Sequence, residues 1–373
     1  MKRIRYGRIA ALVAASAIAL TACGSDPVES GGDNGGNGGN GGGSEESLSG
    51  DLAGAGASSQ EAAMQAWIAG FGSENPDATV TYDPIGSGGG RTQFGEGAVA
   101  FAGSDSVMDD EERAAAQERC GGTDAIHLPL YISPIAVIYN LEGVEGLQLS
   151  PATLAGIFNR QITNWDDPAI KADNPDATLP NKRIIPVNRS DESGTTENFT
   201  EYLAATAGEA WPHEPSGDWP LQGGQSGAQT AGLVQTVKGG DGTIGYADAS
   251  QASDLGVAKI KVGESYVEYS AEAAAKVVDE SPRAEGVPEG DLAIDLQRDT
   301  TAEGTYPIVL VSYLIVCKSY EDAAEGDLVK GFVSYVASEE GQAAAEQAAG
   351  SAPISATLRG DVEAAVESIT VGS

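Results

Sequence analysis

The sequence predicts an α/β protein built as two lobes, and three observations carry that prediction. Short apolar runs of strand-like texture alternate with Ala-rich stretches of helical periodicity, the pattern of α/β layers with a largely parallel sheet. Two apolar runs, 128–140 (LPLYISPIAVIYN) and 306–316 (YPIVLVSYLIV), suit buried strands and fall short of a membrane span, so they are the candidate crossings between lobes. The chain has 373 residues, a length that suits two domains with sizeable cores.

Taken in order, the chain opens with an address. Lys2, Arg3, Arg5 and Arg8 precede an apolar stretch from Ile9 to Leu20, the layout of a secretory signal. It ends Leu20-Thr21-Ala22-Cys23, which resembles a bacterial lipobox in which Cys23 is lipidated; an incidental cysteine after a plain signal peptide is the competing reading. Residues 1–22 are therefore expected to be a lipoprotein signal peptide. The tether follows over 23–50: residues 24–50 hold eleven glycines and no aromatic, a composition that cannot bury a core. From Asp51 the texture becomes globular. Ala63, Trp67, Ile68 and Phe71 stand at helical spacing, Thr79–Tyr82 alternates like a strand, and Val99–Gly103 is another short strand. Thr153–Phe158, Thr196–Ala207 and Ala231–Val237 read as helices, Ile184–Val187 and Thr243–Tyr246 as strands, with helices near Asp327–Ala337 and Glu339–Ala349. Placing the crossings at the two long runs gives one lobe from 51–130 plus 310–373 and the other from 131–309.

Composition removes several classes of function. Twenty-one Lys and Arg face 55 Asp and Glu, a formal net charge of −34. Losing residues 1–22 removes four cations and no carboxylate, leaving −38. Such a surface repels nucleic acid and has no basic patch for anionic lipid. Only His127 and His213 occur, with Cys23, Cys120 and Cys317, and no CxxC or HxxxH spacing, so no metal or other cofactor is expected. In an oxidising compartment Cys120 and Cys317 can pair; two separate buried thiols is the other reading.

Three segments share one physical design. Gly54-Ala55-Gly56-Ala57-Ser58-Ser59 runs into a helix, with Ser58 and Glu61 spaced as a capping box. Gly86-Ser87-Gly88-Gly89-Gly90 lies between a strand and a helical turn expected at Arg91, and Ser193-Gly194-Thr195 precedes the helix at 196–207. Each puts hydroxyls and unhindered N–H groups at a helix start, where unsatisfied donors and the positive dipole end favour anions. Ordinary capping accounts for any one of them; three in one chain, with Arg189 nearby, suggest a convergent oxyanion site. A serine hydrolase fits poorly, because the GxSxG elbow is absent and neither histidine has a supporting pattern.

Ordered along the chain, these segments resemble the substrate-binding lipoproteins of bacterial phosphate ABC importers, the Pst type, over nearly all of the mature body. The family's GAGATFP loop stands as Gly54-Ala55-Gly56-Ala57-Ser58-Ser59-Gln60, its GSSGG-like turn as 86–90, and its DFGASD-like strand end as Ala100-Phe101-Ala102-Gly103-Ser104-Asp105. Its RSDxSGT motif is Arg189-Ser190-Asp191-Glu192-Ser193-Gly194-Thr195; 162–166, 242–246 and 306–308 match as well. The resemblance implies a two-lobed periplasmic-binding-protein fold, type II-like, holding inorganic phosphate in the cleft. Ser58 and Ser87 would donate hydroxyls, Ser59 its N–H, and Asp105 would accept the ligand's proton. Arg189 would contact the anion with Asp191 orienting it, and Ser193, Gly194 and Thr195 would complete the cage. Ser59-Gln60 departs from the family's Phe-Pro and forgoes an apolar lid. The implied protein is a monomer, not an enzyme, anchored outside the cytoplasm through Cys23, and delivers phosphate to permease subunits of an ABC importer. A receptor for sulfate, molybdate or tungstate, and a surface-anchored phosphoester hydrolase, are the alternatives. The net charge is no obstacle, because charges beyond a Debye length of about 8 Å are largely screened while local, desolvated donors are not.

Overall fold

The computed structural model describes residues 47–372. The signal segment 1–22, Cys23 and the tether as far as residue 46 lie outside them. The body begins slightly earlier than the expected boundary at Asp51: Leu48 donates its N–H to Asn75 Oδ1 and the first strand starts at Ser49.

In chain order, β1 (Ser49–Gly56), α1 (Glu61–Glu74), β2 (Asp77–Asp83), α2 (Ser87–Gly95), β3 (Phe101–Ser104) and α3 (Asp110–Arg119) alternate ahead of the long strand β4 (Ala125–Asn140). There follow β5 (Gln148–Leu149), α4 (Pro151–Phe158), α5 (Pro168–Asp173), β6 (Ile185–Arg189), α6 (Gly194–Thr206), β7 (Gln225–Gly227), α7 (Gln229–Lys238) and β8 (Thr243–Asp248). Next come β9 (Gly256–Val257), β10 (Lys259–Val262), β11 (Ser265–Val267) and α8 (Ala271–Glu280). The chain returns through β12 (Val309–Cys317) and closes with β13 (Ser319–Tyr320), α9 (Ala323–Ala337), α10 (Glu339–Ala349), α11 (Ala356–Glu367) and β14 (Thr370–Val371).

The main sheet runs β2-β1-β3-β12-β4-β8-β6-β7, with β9 also on β4. Its wings are parallel, β1 pairing β2 and β3, and β6 pairing β7 and β8. Its middle is antiparallel, β12 pairing β3 and β4, and β4 pairing β8. The sheet is thus mixed, not largely parallel, because its two long central strands, β4 and β12, run in opposite directions. The long apolar runs are those strands. Residues 125–134 of β4 pair with β12, and 135–140 pair with β8. Nearly every residue of β4 and all of β12 is buried without alternation, so both faces of these strands are covered. The two prolines of β4 sit where its ladder is interrupted. The register on β12 shifts beside Pro129, and Pro134 marks the handover from β12 to β8.

Two aromatic clusters stand in the core. Phe332 lies 5.4 Å from both Phe71 and Phe101 in the first, and Phe199 packs 4.4 Å from Tyr246 and 4.9 Å from Phe158 in the second. Cys120, at the end of α3, is disulfide-bonded to Cys317 at the end of β12, with Cα atoms 5.5 Å apart. His127 sits inside β4, its Nε2 accepting from Met108 N–H and its Nδ1 bonded to Asp291, so its role is structural. His213 is a loop residue bonded to Asn159.

Candidate functional site

Each segment singled out from the sequence leaves the carboxyl end of a parallel strand. β1 delivers Ala57–Gln60, β2 delivers Gly86 and α2, β3 delivers Asp105, and β6 delivers Arg189 through Ser193 and then α6. In α/β sheets this edge is the ligand-binding edge, because the helices that follow the strands point their free N–H groups there. Ser58, Ser59, Ser87, Asp105, Arg189, Ser193, Gly194 and Thr195 are all buried at that edge.

Asp105 is the junction. Its Oδ1 accepts the Ser59 hydroxyl at 2.6 Å, and its Oδ2 accepts the Thr195 hydroxyl at 2.8 Å, one donor from the turn before α1 and one from the start of α6. Its N–H donates to Ser87 Oγ at 3.1 Å, and its carbonyl accepts from Asn198 Nδ2 at 2.6 Å. Burial pushes the Asp105 pKa up; the hydroxyl donors and the Arg189 charge pull the other way without cancelling that rise. Arg189, in contrast, is held by a carboxylate two residues along the chain. Its Nε and Nη2 donate to Asp191 Oδ1 and Oδ2 at 2.9 and 2.5 Å, a bidentate pair. Burial opposes ionisation of Asp191, but the Arg189 hydrogen bonds and charge outweigh it and hold its pKa below the ordinary carboxylate value. The pair lies against the residue that precedes α2: a Cβ on Gly86, whose φ is +102°, would stand 2.9 Å from Asp191 Oδ2 and 3.6 Å from Arg189 Nη2.

Two helix starts meet beside Asp105. Ser193 caps α6, its hydroxyl accepting Thr196 N–H at 3.2 Å, which leaves the Gly194 and Thr195 N–H groups with no intrahelical acceptor. α2 starts at Ser87 without a side-chain cap. Approach is close enough that a Cβ on Gly194 would fall 2.7 Å from Ser87 Oγ and 2.8 Å from Asp105 Cβ. A buried cluster of hydroxyls, N–H donors, one guanidinium and one raised-pKa carboxylate can bind a small oxyanion that still carries a proton.

A family model described as a PBP superfamily domain matches residues 41–340. Phosphate-binding protein PstS 3 of Mycobacterium tuberculosis is 36% identical over 346 residues, covering 89% of this chain and 90% of that protein. The chain belongs to the PstS family of phosphate-binding proteins. PstS 2 of Mycobacterium tuberculosis is 36% identical with 99% of this chain and 100% of that protein covered. Among solved structures, PfluDING, described as a high affinity periplasmic phosphate-binding protein bound with phosphate, has a TM-score of 0.70 at 22% identity, over 84% of this chain and 93% of its own. The phosphate-binding protein from Stenotrophomonas maltophilia gives 0.64 at 20%, over 85% and 94%. These two likenesses speak to the fold: two lobes of the periplasmic-binding type.

Set beside the PstS motifs, the structure corrects two local expectations. Ser58 does not form a capping box with Glu61. The helix is preceded by Gln60 without a side-chain cap, and the Ser58 hydroxyl accepts Thr230 N–H and bonds Thr230 Oγ1, both at 3.0 Å and 172 residues away in the chain. The glycine-rich stretch of the second PstS loop is not a turn ahead of a helix at Arg91 but the first turn of α2 itself. Glycine is a poor helix former, yet a Cβ on Gly90 would fall 2.4 Å from Gly56 Cα, so only glycine lets α2 pack on β1. The Ser59 hydroxyl, at a position where the family's motif has an apolar residue, donates to Asp105. Residues the motifs did not single out are Asn198, Thr230, Arg91, Glu192 and Arg298. Asn198 lies one turn after Gly194 on the same helix face, a signal that spacing could have offered. Arg298 orients its amide, Nη2 donating to Asn198 Oδ1 and Nη1 to the Val309 carbonyl.

Proposed function

We propose that this PstS-family protein captures inorganic phosphate between its lobes and delivers it to the permease of an ABC importer, without covalent chemistry. The observation that carries the reading is Asp105, a buried carboxylate with a raised pKa that gathers hydroxyls from both lobes where two helix starts meet. Near neutral pH phosphate keeps at least one proton and sulfate none, so one acceptor amid many donors matches phosphate. Ser87, Ser193, Gly194, Thr195, the Ser59 N–H and Arg189 would surround the other oxygens, with Asp191 partly neutralising and aiming the guanidinium. Ser58 would either turn from Thr230 to the ligand or fix the lobe contact behind it. The lobes would divide at the β4 and β12 crossings, into 51–130 with 310–373 and 131–309, and rock about them. The full chain would act as a monomer tethered outside the cytoplasm by lipidated Cys23.

The test is thermal denaturation of ligand-stripped protein. A ligand that binds only the folded state adds RT ln(1+[L]/Kd), about 4.1 kcal/mol at a thousandfold excess. Phosphate should raise the Tm by several degrees and sulfate should barely move it. Equal shifts would overturn phosphate selectivity, and no shift with either would overturn the receptor reading.

A further inference from the structure

Arg91 belongs to α2 and its side chain is 6% exposed. Most of its donors are spent within its own lobe: Nε on Glu112 Oε1 at 2.8 Å, and Nη1 on the hydroxyls of Ser104 and Ser106, both at 2.9 Å. It thereby grips the residues on either side of Asp105. Its Nη2 alone crosses the cleft, to Glu192 Oε1 at 3.1 Å. Glu192 is the variable position of the RSDxSGT motif, between Asp191, which holds Arg189, and Ser193, which caps α6.

The space around Glu192 is built for a carboxylate. A Cβ on Gly88 would stand 1.3 Å from Oε2, and one on Gly217 would stand 2.4 Å from Oε1, so two glycines form the slot. Gly88 lies in the first turn of α2, where a negative charge is favoured by the helix dipole. Oε2 is buried and has no hydrogen-bond partner among the described residues, so Arg91 is what compensates this charge. The acceptor sits on one lobe and the preorganised guanidinium on the other, so this ion pair exists only when the lobes are together.

We propose that Glu192 is a positioning residue that latches the closed form: by pairing with Arg91 it ties the 104–106 loop to the 189–195 loop and sets how long phosphate stays bound. The inference rests on the phosphate-receptor reading. Glu192 makes no contact with the ligand in this scheme; it acts on dissociation, because the open protein that phosphate first meets lacks the pair. Arg91 is buried and Glu192 partly so, and losing one partner of a hydrogen-bonded charge pair shielded from water on one side acts mainly on the off-rate.

The experiment is stopped-flow measurement of phosphate association and release, read by intrinsic tryptophan fluorescence or a coupled phosphate sensor, on wild type, Glu192→Gln, Gly88→Ala and the double variant. Glu192→Gln should raise koff about tenfold and leave kon within about twofold, equivalent to about 1.4 kcal/mol of closed-state stability. Its ligand-free Tm should equal that of wild type. Gly88→Ala, whose methyl takes the carboxylate's place, should raise koff similarly, and the double variant no further. A wild-type koff in Glu192→Gln, an effect confined to kon, or additive effects in the double variant would each overturn the latch while leaving the receptor reading intact. Failure of wild type itself to bind phosphate would overturn both.

Discussion

Replacing Asp105 by Asn isolates the group that reads the ligand's proton. The carboxylate accepts hydroxyls from Ser59 at 2.6 Å and Thr195 at 2.8 Å and is 3% exposed, so water cannot make good a missing partner. Against phosphate it has a proton to accept; against sulfate it faces only lone pairs. A buried acceptor left unpaired costs about 1–3 kcal/mol, more when charged, and each 1.4 kcal/mol is about tenfold. Wild type should therefore prefer phosphate by about ten- to hundredfold from this residue alone. In Asp105→Asn the amide oxygen still accepts one hydroxyl, while the amide NH2 becomes a donor that sulfate can use. Calorimetric titration of ligand-stripped wild type and variant should show sulfate bound at least about tenfold more tightly by the variant. Circular dichroism checks that the fold is intact. Unchanged sulfate affinity in a folded variant would refute the reasoning, whatever the variant does to phosphate.

Three further outcomes follow from the geometry. Gly194→Ala puts a methyl within 2.7 Å of Ser87 Oγ and 2.8 Å of Asp105 Cβ, so it should weaken phosphate binding at least about tenfold, measured by titration, with the ligand-free Tm preserved. Asp248, fully buried at the crossing between β4 and β8, accepts from Tyr131 and Ser250 through Oδ1 while Oδ2 has no partner among the described residues, and burial raises its pKa from 3.8 to about 6. A raised carboxylate pKa means the folded state holds the proton more tightly. Its stabilising effect is therefore full below about pH 4 and is lost as pH rises through 6. Asp248→Asn, neutral throughout, should gain up to about 3 kcal/mol relative to wild type between pH 4 and 7 in urea denaturation, and a pH-independent difference would contradict this. The Cys120–Cys317 bond closes 197 residues of chain, so Cys120→Ser with Cys317→Ser should cost about 3–5 kcal/mol in the same assay while leaving phosphate Kd unchanged.

What could be read from the sequence was local. The strands β4 and β12 announce themselves as long apolar runs because both faces are buried, and the site loops are short motifs whose hydroxyls and glycines lie side by side in the chain. α3 escaped notice because DEERAAAQER buries only Ala116 and shows no apolar stripe. α2 was hidden by its glycines, which local propensity assigns to a turn and which contact with β1 requires in a helix. The remaining site features are long-range. Ser58 gives up its cap for Thr230, 172 residues away, and Arg91 finds Glu192 at a separation of 101; no spacing rule reaches that far.

The most direct test of the central claim is isothermal titration of ligand-stripped protein with phosphate, sulfate and tungstate in turn. The arrangement around Asp105 predicts one phosphate per chain, bound at least about tenfold more tightly than either proton-free anion. Equal binding of all three, or tighter binding of sulfate or tungstate, would contradict it.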